Sequence, residues 1–463
     1  MAHTNGPHTI RRGSTQPKRS LIPIMLAAAV GSALEWYDFF VYGTAAALVF
    51  GDLFFPKFEP SMGMLLSFTT FGVGFVARPF GGILFGYLGD RWGRKPVLVT
   101  TILLVGGGTF LIGLLPTYAE IGLWAPVLLA GLRLVQGLGA GAEYGGAVIL
   151  AVEYAPETRR GFFGSFAPMG VTVGNLLAAG VFGLVSLLPK DQVMSWGWRV
   201  PFLISLALVL VGVLIRLRVQ ETPVFTEAVK RRPRIAIPAL AALSRHPRNF
   251  AVVVGARLAE NGLGYLFPVF GLSYIINTLH LPRNTALLGV FTGNFVEIAG
   301  ILFFGYLSDK VGRRPVYMGG ALFSALFAFP FFALVNTGNT ALIVIAFALI
   351  MGIGGGAMFG PQAAYFAELF GPRLRFSGFA FARELGSILA GGPAPAVASL
   401  LVLWMDGAPW GVALYVIALS VITAAAVWWG PETHTSDIRA DYDPANEAAD
   451  GAVTAPVPIR TIG

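Results

Sequence analysis

Ionisable side chains interrupt several of the longest apolar stretches of the sequence. Glu35 and Asp38 lie in one such stretch, and Arg133 lies in another. An ionisable group at the centre of a membrane helix costs ~2.5–3.5 kcal/mol on insertion scales, so it usually faces a cavity or a partner. Carboxylates exchange protons, and guanidinium groups grip carboxylates through two parallel hydrogen bonds. These residue types indicate proton transfer and anion binding within a membrane.

Glu35, Asp38 and Arg133 are predicted to form a site that exchanges protons. At a helical rise of ~1.5 Å per residue, Asp38 lies ~22 Å and Arg133 ~27 Å from the same membrane face. If their helices adjoin, the arginine favours the ionised form of Asp38, and separating the two favours proton uptake. We predict that Asp38 and Arg133 form a proton switch, with Glu35 one helical turn away sharing the proton. A permanent structural ion pair, with Glu35 only packing, is the alternative.

A second layer of buried charge lies nearer that face, and it contains three arginines and four glutamates. Its members are Arg78, Glu143, Arg257, Glu260, Glu297, Arg383 and Glu384. We predict that Arg78, Arg257 and Arg383 bind a substrate carboxylate. Charge networks that fix parts of the fold together are the alternative, and Arg257 and Glu260, at i,i+3, could satisfy one another. Glu297 and Glu384 are expected to be partners of the arginines rather than ligands.

Polar side chains near these charges are further candidates for contacts to a substrate. The predicted substrate-binding set also includes Tyr37, Tyr42, Tyr144, Glu260, Asn261 and Tyr265. Asn261, Gly262 and Gly264 interrupt one apolar stretch, and Pro393 and Pro395 interrupt another. Such breaks expose backbone groups that bind ligands or act as hinges, or they only bend the helix.

The elements that carry these residues are predicted to be membrane helices. The chain has 463 residues, of which 55% are hydrophobic and 12% charged, with a mean hydropathy of +0.71. About twelve apolar runs have the ~20 residues needed to cross ~30 Å of hydrocarbon. They lie near 23–50, 62–89, 96–115, 124–152, 161–188, 197–217, 249–277, 284–307, 315–335, 340–367, 376–404 and 408–429.

A ten-residue motif divides these runs into two related halves. GYLGDRWGRK, from Gly86 to Lys95, recurs as GYLSDKVGRR, from Gly305 to Arg314. The sequence therefore predicts an all-α polytopic membrane protein with twelve transmembrane helices in two pseudo-symmetric six-helix bundles. The predicted domains are an N-tail (1–20), a first bundle (21–217), a basic linker (218–247), a second bundle (248–430) and a disordered C-tail (431–463).

The distribution of charge predicts the orientation. The formal net charge is +8, but most Lys and Arg residues fall in loops on one side of the predicted membrane, with only Lys57, Lys190 and Arg283 in loops on the other. By the positive-inside rule both tails are cytoplasmic, and the basic charge does not indicate a nucleic-acid partner. The expected location is a cell membrane, the inner membrane of a bacterium. The bilayer is the expected surrounding, and the chain is expected to be a monomer.

Enzymatic and ATP-driven functions find no support in the motifs. The chain has no cysteine, no HExxH motif and no phosphate-binding loop, and its five histidines lie in tails or connections. The sequence predicts neither a metal site nor a cofactor, with the proton as coupling ion. Two related halves with scattered buried charges favour a secondary transporter over a channel.

Several motifs together resemble the major facilitator superfamily, over roughly residues 23–430. The ten-residue motif resembles that superfamily's loop between helices 2 and 3. LEWYDFF, ARPFGG, the run from Arg133 to Ala147 and ARELGS resemble its metabolite:proton symporter branch, which carries shikimate, carboxylates, and proline or betaine. The resemblance implies proton-coupled uptake of a small organic anion by alternating access, with a zwitterion as the alternative. In the superfamily's sugar:proton symporters the residues matching Asp38 and Arg133 are implicated in coupling.

The resemblance also implies a gate at the cytoplasmic end, where Asp90 is expected to meet the start of helix 11. The predicted gating residues are Asp90, Arg91, Arg94, Lys95, Asp309, Arg313, Arg314, Glu153, Arg160, Glu368 and Arg375. A drug:proton antiporter is the less favoured reading, because APMGVTVGN (Ala167–Asn175) lacks the glycine pair that closes that branch's helix 5 pattern.

Overall fold

The computed structural model describes residues 21–92, 94–141, 144–218, 238–371, 375–436 and 438. Every regular element in these ranges is helical. Eight helices are long and apolar enough to cross a membrane by themselves, and Val99–Leu114 and Trp124–Ala140 are shorter apolar helices. Joined across local breaks, the helices form twelve successive spans, which we label α1 to α12.

The first six spans and their bounds are as follows: α1, Leu21–Ala45 with a π-helical turn Ala46–Phe50; α2, Pro60–Trp92; α3, Arg94–Leu114; α4, Trp124–Ala140 and Tyr144–Tyr154; α5, Arg160–Gly164 and Phe166–Val185; α6, Val200–Arg218. Short helices at Gly51–Phe54, Tyr118–Ile121 and Lys190–Ser195 lie between them.

The second six spans are α7, Pro247–Tyr265 with π-helical turns Leu266–Gly271 and Tyr274–Thr278; α8, Arg283–Val311; α9, Arg313–Asn336; α10, Thr340–Leu349, π-helical Ile350–Gly355 and Gly356–Glu368; α11, Arg375–Gly386, π-helical Ser387–Gly391 and Ala394–Trp404; α12, Trp410–Trp429. A short helix, Pro238–Arg245, precedes α7 in the predicted linker, whose residues 219–237 lie outside the described ranges.

The packing of the spans repeats between the two halves. In the first half α1 packs on α5, α2 on α4, and α3 on α6; in the second, α7 packs on α11, α8 on α10, and α9 on α12. The halves meet where α5 packs on α8 and α2 packs on α11. Two bundles of the same design therefore enclose one interface, as the repeated motif predicts.

Glycines bring α2 and α4 to backbone contact. A Cβ atom added to Gly137 would lie 2.0 Å from the carbonyl oxygen of Gly74, and one added to Gly141 would lie 1.9 Å from the carbonyl oxygen of Arg78. The second half repeats this approach, since a Cβ on Gly300 would lie 2.1 Å from the carbonyl oxygen of Gly352. Small residues at such crossings give membrane helices their tightest packing, so each bundle is a firm unit.

The predicted break in α11 is confirmed at Pro393, whereas the predicted break at Asn261, Gly262 and Gly264 in α7 is wrong. In α7 the α-helix continues through Asn261 and Gly264 and changes to a π-helical turn only at Leu266, one residue beyond Tyr265. In α11 a π-helical turn ends at Gly391, and Pro393 opens the second segment. π-Helical turns often occur at functional sites, because they re-aim side chains.

The predicted C-tail begins with ordered residues. Glu432 accepts hydrogen bonds from the backbone N–H groups of Arg313 and Arg314 at 2.8 and 3.0 Å, and the Thr433 hydroxyl donates to Glu368 at 2.7 Å. The expectation of disorder from residue 431 onward is wrong for these residues, because a carboxylate caps the start of α9. The predicted N-tail and residues 439–463 lie outside the described ranges.

The glycine contact between α2 and α4 gives a direct test of the packing. We expect Gly137→Ala to lower the free energy of unfolding by roughly 1–3 kcal/mol, because its methyl group overlaps a backbone carbonyl. Gly131→Ala, on the same helix, is the matched control, because nothing lies within 4 Å of its added Cβ. Thermal unfolding in detergent measures both variants, and equal unfolding temperatures would contradict the packing described here.

Candidate functional site

The two halves contact one another along the whole length of their interface. At the end that carries the ten-residue motif, Asp309 bonds to the start of α5. At mid-depth the Asn175 amide donates to the Asn294 side chain at 2.9 Å. At the opposite end the Ser273 hydroxyl contacts the Met64 sulfur, and the Asn277 amide donates to the Ala47 carbonyl at 3.4 Å. The buried charges therefore lie between two closed ends.

Asp38 and Arg133 are both buried within the first half, but they do not form an ion pair. Arg133 donates from Nε to the Phe71 carbonyl at 3.3 Å and from Nη1 to Gln136 at 3.1 Å, and its guanidinium lies over the rings of Phe39 and Tyr42. The expectation of a direct Asp38–Arg133 ion pair is therefore wrong. Aromatic faces and an amide oxygen, rather than a carboxylate, stabilise the arginine.

A polar bridge that the sequence analysis missed connects the two groups. Gln136 donates from Nε2 to the Thr109 hydroxyl on α3 at 2.6 Å. Asp38, on α1, packs against α3 one turn before Thr109. A Cβ atom added to Gly106 of α3 would lie 3.3 Å from Oδ2 of Asp38. Gln136 stands three residues after Arg133 and therefore shares its helix face, which is the signal that could have identified it.

Arg78 joins the two halves at mid-depth. It is 1% exposed, and its Nη1 lies 3.7 Å from Glu384 on α11. Its guanidinium carbon lies 4.1 Å from the Phe39 ring centroid and 4.4 Å from that of Phe75. The Nε and Nη2 atoms of Arg78 have no hydrogen-bond partner among the described residues. Arg78 is therefore a desolvated cation with two hydrogen-bond donor atoms that can still bind a ligand.

The arginines of the second half have acidic partners nearby. Arg257 donates to Glu260 one turn along α7, and its Nε donates to the Ser387 hydroxyl at 3.3 Å. Arg383 donates to Glu384, which thereby contacts Arg383 and Arg78 together. These contacts match the expectations that Arg257 and Glu260 satisfy one another and that Glu384 is a partner of arginine. Glu143 lies outside the described ranges.

A central cavity lies between the halves, and we define it by the residues shared by two adjoining spaces of about 30 and 20 Å³: Glu260, Gly264, Glu297 and Phe359. The second half also contributes Asn261 and Tyr265, and the first half contributes Trp36, Thr172 and Asn175. Spaces of this size hold water rather than an organic substrate. A substrate therefore enters only if the halves move apart.

The predicted tyrosines differ in their surroundings. The Tyr265 hydroxyl is buried with no hydrogen-bond partner among the described residues, and its ring stacks on Trp36 and Phe40 of the other half. Tyr37 instead donates to the Pro201 carbonyl within the first half, and Tyr42 donates to Thr70. The side chain of Tyr144 lies outside the described part. Tyr265 is thus the tyrosine best placed to meet a ligand.

Two further predicted residues are buried near these groups. Asn261 lines the central cavity, and its Oδ1 has no hydrogen-bond partner in the described residues. Glu35 is 8% exposed on the helix that carries Asp38. Gln362, which the sequence analysis missed, is fully buried on α10 with both amide atoms lacking a described partner. These amide atoms of Asn261 and Gln362 are therefore available to a ligand or to water.

The second copy of the motif forms a latch with the first half. Asp309 accepts from the backbone N–H groups of Gly161 and Phe162 at 2.8 and 2.9 Å, at the start of α5, where the helix dipole favours an anion. Arg313 donates to Asp309 at 2.7 Å and to both carboxylate oxygens of Glu368. This contact is the pseudo-symmetric equivalent of the one expected for Asp90 at the start of α11.

The side chains of Asp90, Arg91, Arg94 and Lys95 lie outside the described part of the structure. The contacts expected of the first copy therefore remain predictions. Arg314, in the second copy, donates to the carbonyl oxygens of Val427 and Trp428.

Further contacts join the two halves beside the latch. Arg375, at the start of α11, donates to Glu153 at the end of α4 at 2.9 Å, and Arg160 donates to the Ser436 carbonyl at 2.8 Å. Burial disfavours the charge of Glu432, but backbone N–H donors outweigh it and hold the pKa of that carboxyl below its usual value. Its contribution to stability is therefore present at neutral pH and lost on acidification through the lowered pKa.

Comparison with known proteins shows the family. Residues 24–243 match the family described as "Sugar (and other) transporter", and residues 252–441 match "Major Facilitator Superfamily". The chain is 39% identical to the shikimate transporter of Escherichia coli K12 over 425 residues, which cover 89% of this chain and 96% of that protein. It is 34% identical to the proline/betaine transporter of the same strain, over 86% of this chain and 81% of that protein.

A second relative and a solved structure agree. The chain is 39% identical to the inner membrane metabolite transport protein YhjE of Escherichia coli K12, over 90% of this chain and 96% of that protein. The fold resembles that of the inward-open xylose transporter XylE from E. coli, with a TM-score of 0.68, 19% identity, and coverage of 90% of this chain and 98% of that one. This likeness confirms the predicted fold class. The chain belongs to the major facilitator superfamily, and it is a multi-pass membrane transporter rather than an enzyme.

Proposed function

We propose that the protein is a proton-coupled symporter that takes up a small organic anion by alternating access. The observation that carries the proposal is Arg78: a buried guanidinium at the interface between the halves, with two donor atoms that have no partner among the described residues. A desolvated arginine of this kind is a strong site for a carboxylate, which accepts two parallel hydrogen bonds from it.

The neighbours of Arg78 suggest how a substrate binds. Glu384 is only loosely paired with Arg78, at 3.7 Å, and it also contacts Arg383. An incoming carboxylate can displace Glu384 from Arg78 without leaving that glutamate unpaired. Because Arg78 and Glu384 belong to different halves, such an exchange links substrate binding to the movement of one bundle against the other.

The remaining predicted substrate-binding residues differ in their support. Tyr265 and Asn261 border the central cavity with buried polar atoms, so we propose them as substrate contacts, together with Arg257 and Arg383. Glu260 is better placed to balance the charge of Arg257. Tyr37 and Tyr42 have partners within the first half, so we assign them a positioning role.

A zwitterion is the second candidate substrate. The rings of Trp36, Phe40 and Tyr265 cluster beside the carboxylates of Glu260 and Glu297. Aromatic faces with nearby acids attract quaternary ammonium groups, and a relative is named a proline/betaine transporter. Glycine betaine that competes with shikimate for uptake would favour this second candidate.

Proton coupling is proposed for Asp38. Its Oδ1 has no hydrogen-bond partner among the described residues, and it is separated from Arg133 by the Gln136–Thr109 bridge. A buried carboxylate without a direct cation is best accommodated when protonated. Movement of α4 that brings Arg133 toward Asp38 would favour loss of that proton. Glu35, one turn away, is proposed to share in the exchange.

Alternating access is proposed to proceed by rocking of the two bundles. The latch at the motif end and the Glu153–Arg375 pair must open on one side, and the contacts of Met64 with Ser273 on the other. We propose that the motif end faces the cytoplasm, with both tails on that side, in a monomer in the bacterial inner membrane.

Uptake into proteoliposomes tests the proton coupling. We expect the purified protein to accumulate an organic acid, such as shikimate, only with an inward proton gradient. Asp38→Asn should retain exchange of labelled for unlabelled substrate but lose accumulation, since the neutral amide cannot carry a proton. Asp52→Asn, an exposed acid at the end of α1, is the control and should accumulate normally. Gradient-independent accumulation by the wild type would refute coupling.

The role of Arg78 is tested by a substitution that keeps its charge. Arg78→Lys removes the planar pair of donors, and each charge-assisted hydrogen bond contributes ~1.5–3 kcal/mol. We expect the KM for a carboxylate substrate to rise by about tenfold or more, since ~1.4 kcal/mol corresponds to tenfold. The exposed Arg159→Lys serves as control. An unchanged KM in Arg78→Lys would remove Arg78 from the substrate site.

The latch is tested by the accessibility of an introduced thiol. The chain has no cysteine, so no native thiol contributes to the labelling. We place a cysteine in the cavity as Thr172→Cys and label it from the motif side with a membrane-impermeant reagent. Asp309→Asn should accelerate labelling by about tenfold, because it weakens charge-assisted bonds to the start of α5. Asp191→Asn, which is exposed, should leave the rate unchanged. Equal rates in both variants would mean that Asp309 does not hold this end closed.

A further inference from the structure

Glu297 is a buried carboxylate that the steps proposed for an organic anion do not use. It lies on α8, 8% exposed, and lines the central cavity. A Cβ atom added to Gly355 would lie 2.5 Å from its Oε1, so its carboxylate packs directly on the π-helical turn of α10. The sequence analysis expected it to be a partner of an arginine, but no ion pair of Glu297 occurs within the described residues.

The described groups that line the cavity with Glu297 come from five other spans, including the rings of Trp36 and Phe40 on α1. From α7 comes Glu260, which is bonded on its other side to Arg257. From α5 come Thr172 and Asn175, and from α9 comes Ser324, none of which is charged. From α10 come the backbone of Gly355 and the ring of Phe359. Among the described residues that line the cavity, the charged group beside Glu297 is therefore another carboxylate, that of Glu260.

The described residues that line the cavity include two acids, Glu260 and Glu297, and no cation. Arg257 compensates Glu260, and the charge of Glu297 is left without a cation among the described residues. An isolated buried anion costs several kcal/mol, and a neighbouring carboxylate adds repulsion. In addition, Oε1 of Glu260 has no hydrogen-bond partner among the described residues by distance and angle, and Glu260 borders the same space. A single small cation between these oxygens removes both deficits.

We propose that Glu297 binds a second transported proton. The proton forms an O–H bond on the Glu297 carboxyl while the halves are closed, and the group then donates toward an oxygen in the cavity. When α8 and α5 part, water reaches the cavity, the carboxylate becomes stable and the proton leaves to that water. Proton binding at Glu297 thus becomes a condition for closing the two halves around a substrate.

This inference rests on the proposed symport and adds a second ion to it. It also removes an electrostatic conflict in that proposal. Without the second proton, the halves would close around an anionic substrate beside a cavity lined by two carboxylates. With Glu297 neutral and Glu260 paired to Arg257, the cavity carries no net negative charge from these groups. An anion at Arg78 is then not repelled.

Accumulation at a fixed proton gradient measures the number of coupled protons. With the membrane voltage clamped at zero, one coupled proton gives about tenfold accumulation for each unit of pH difference, and two give about 100-fold. We expect about 100-fold accumulation of shikimate, or of the organic acid that the uptake screen identifies, for the wild type and about tenfold for Glu297→Gln, which mimics the protonated acid. Glu59→Gln, an exposed acid, should behave as wild type. Equal accumulation by Glu297→Gln and wild type would overturn the assignment.

A readout independent of transport separates this inference from the proposed function. The infrared band of protonated carboxyl groups is recorded for purified protein in lipid during a pH titration. We expect Glu297→Gln to lose one such band at neutral pH, and Glu297→Asp, the more conservative variant, to shift it. If wild type fails to accumulate substrate, the proposed function fails while this band still decides the protonation of Glu297. No difference in the band would overturn the inference, as would sodium-driven accumulation that Glu297→Gln abolishes.

Discussion

The free-energy cost of burying charged side chains constrains the interface between the two bundles. The proposed mechanism also requires these bundles to separate. Arg78, Arg133 and Arg257 are almost fully removed from solvent, and each is stabilised by aromatic faces, amide or hydroxyl oxygens, or a carboxylate. Some of these contacts lie within a half, and others, such as Arg78 with Glu384, cross the interface. A crossing contact is strong only while the interface is dry, so parting the bundles changes the energy of every charge that depends on it.

The two halves share a scaffold but not a chemistry. The helix pairs α1–α5 and α7–α11 pack in the same manner, and the glycine crossing of α2 and α4 recurs between α8 and α10. The charges on these frames differ: the first half carries Asp38 and Arg133 joined by an amide bridge, and the second carries Glu260 and Glu297 around a cavity. Repetition thus provides a symmetric scaffold, and divergence provides the two differently built sites at which we propose that protons bind.

Much of the fold was predictable, because it follows from composition and repetition. Span length and the motif pair define the helices, and i,i+3 spacing identified the Arg257–Glu260 pair. The Asp38–Arg133 contact was predicted from depth alone, and depth does not fix side-chain direction; the rings around Arg133 and the amide of Gln136 took the place of the acid. The meeting of Asn175 with Asn294 and the cap made by Glu432 depend on long-range packing that no local pattern encodes.

The cap at Glu432 has a consequence for biosynthesis. During translation the twelve helices enter the membrane in order, and α9 is in place long before residues 432–436 leave the ribosome. Until then the start of α9 lacks the carboxylate that accepts from its first N–H groups, and Arg160 lacks the Ser436 carbonyl. The nascent chain therefore completes this end of the interface last, and a product that ends after α12 lacks both contacts.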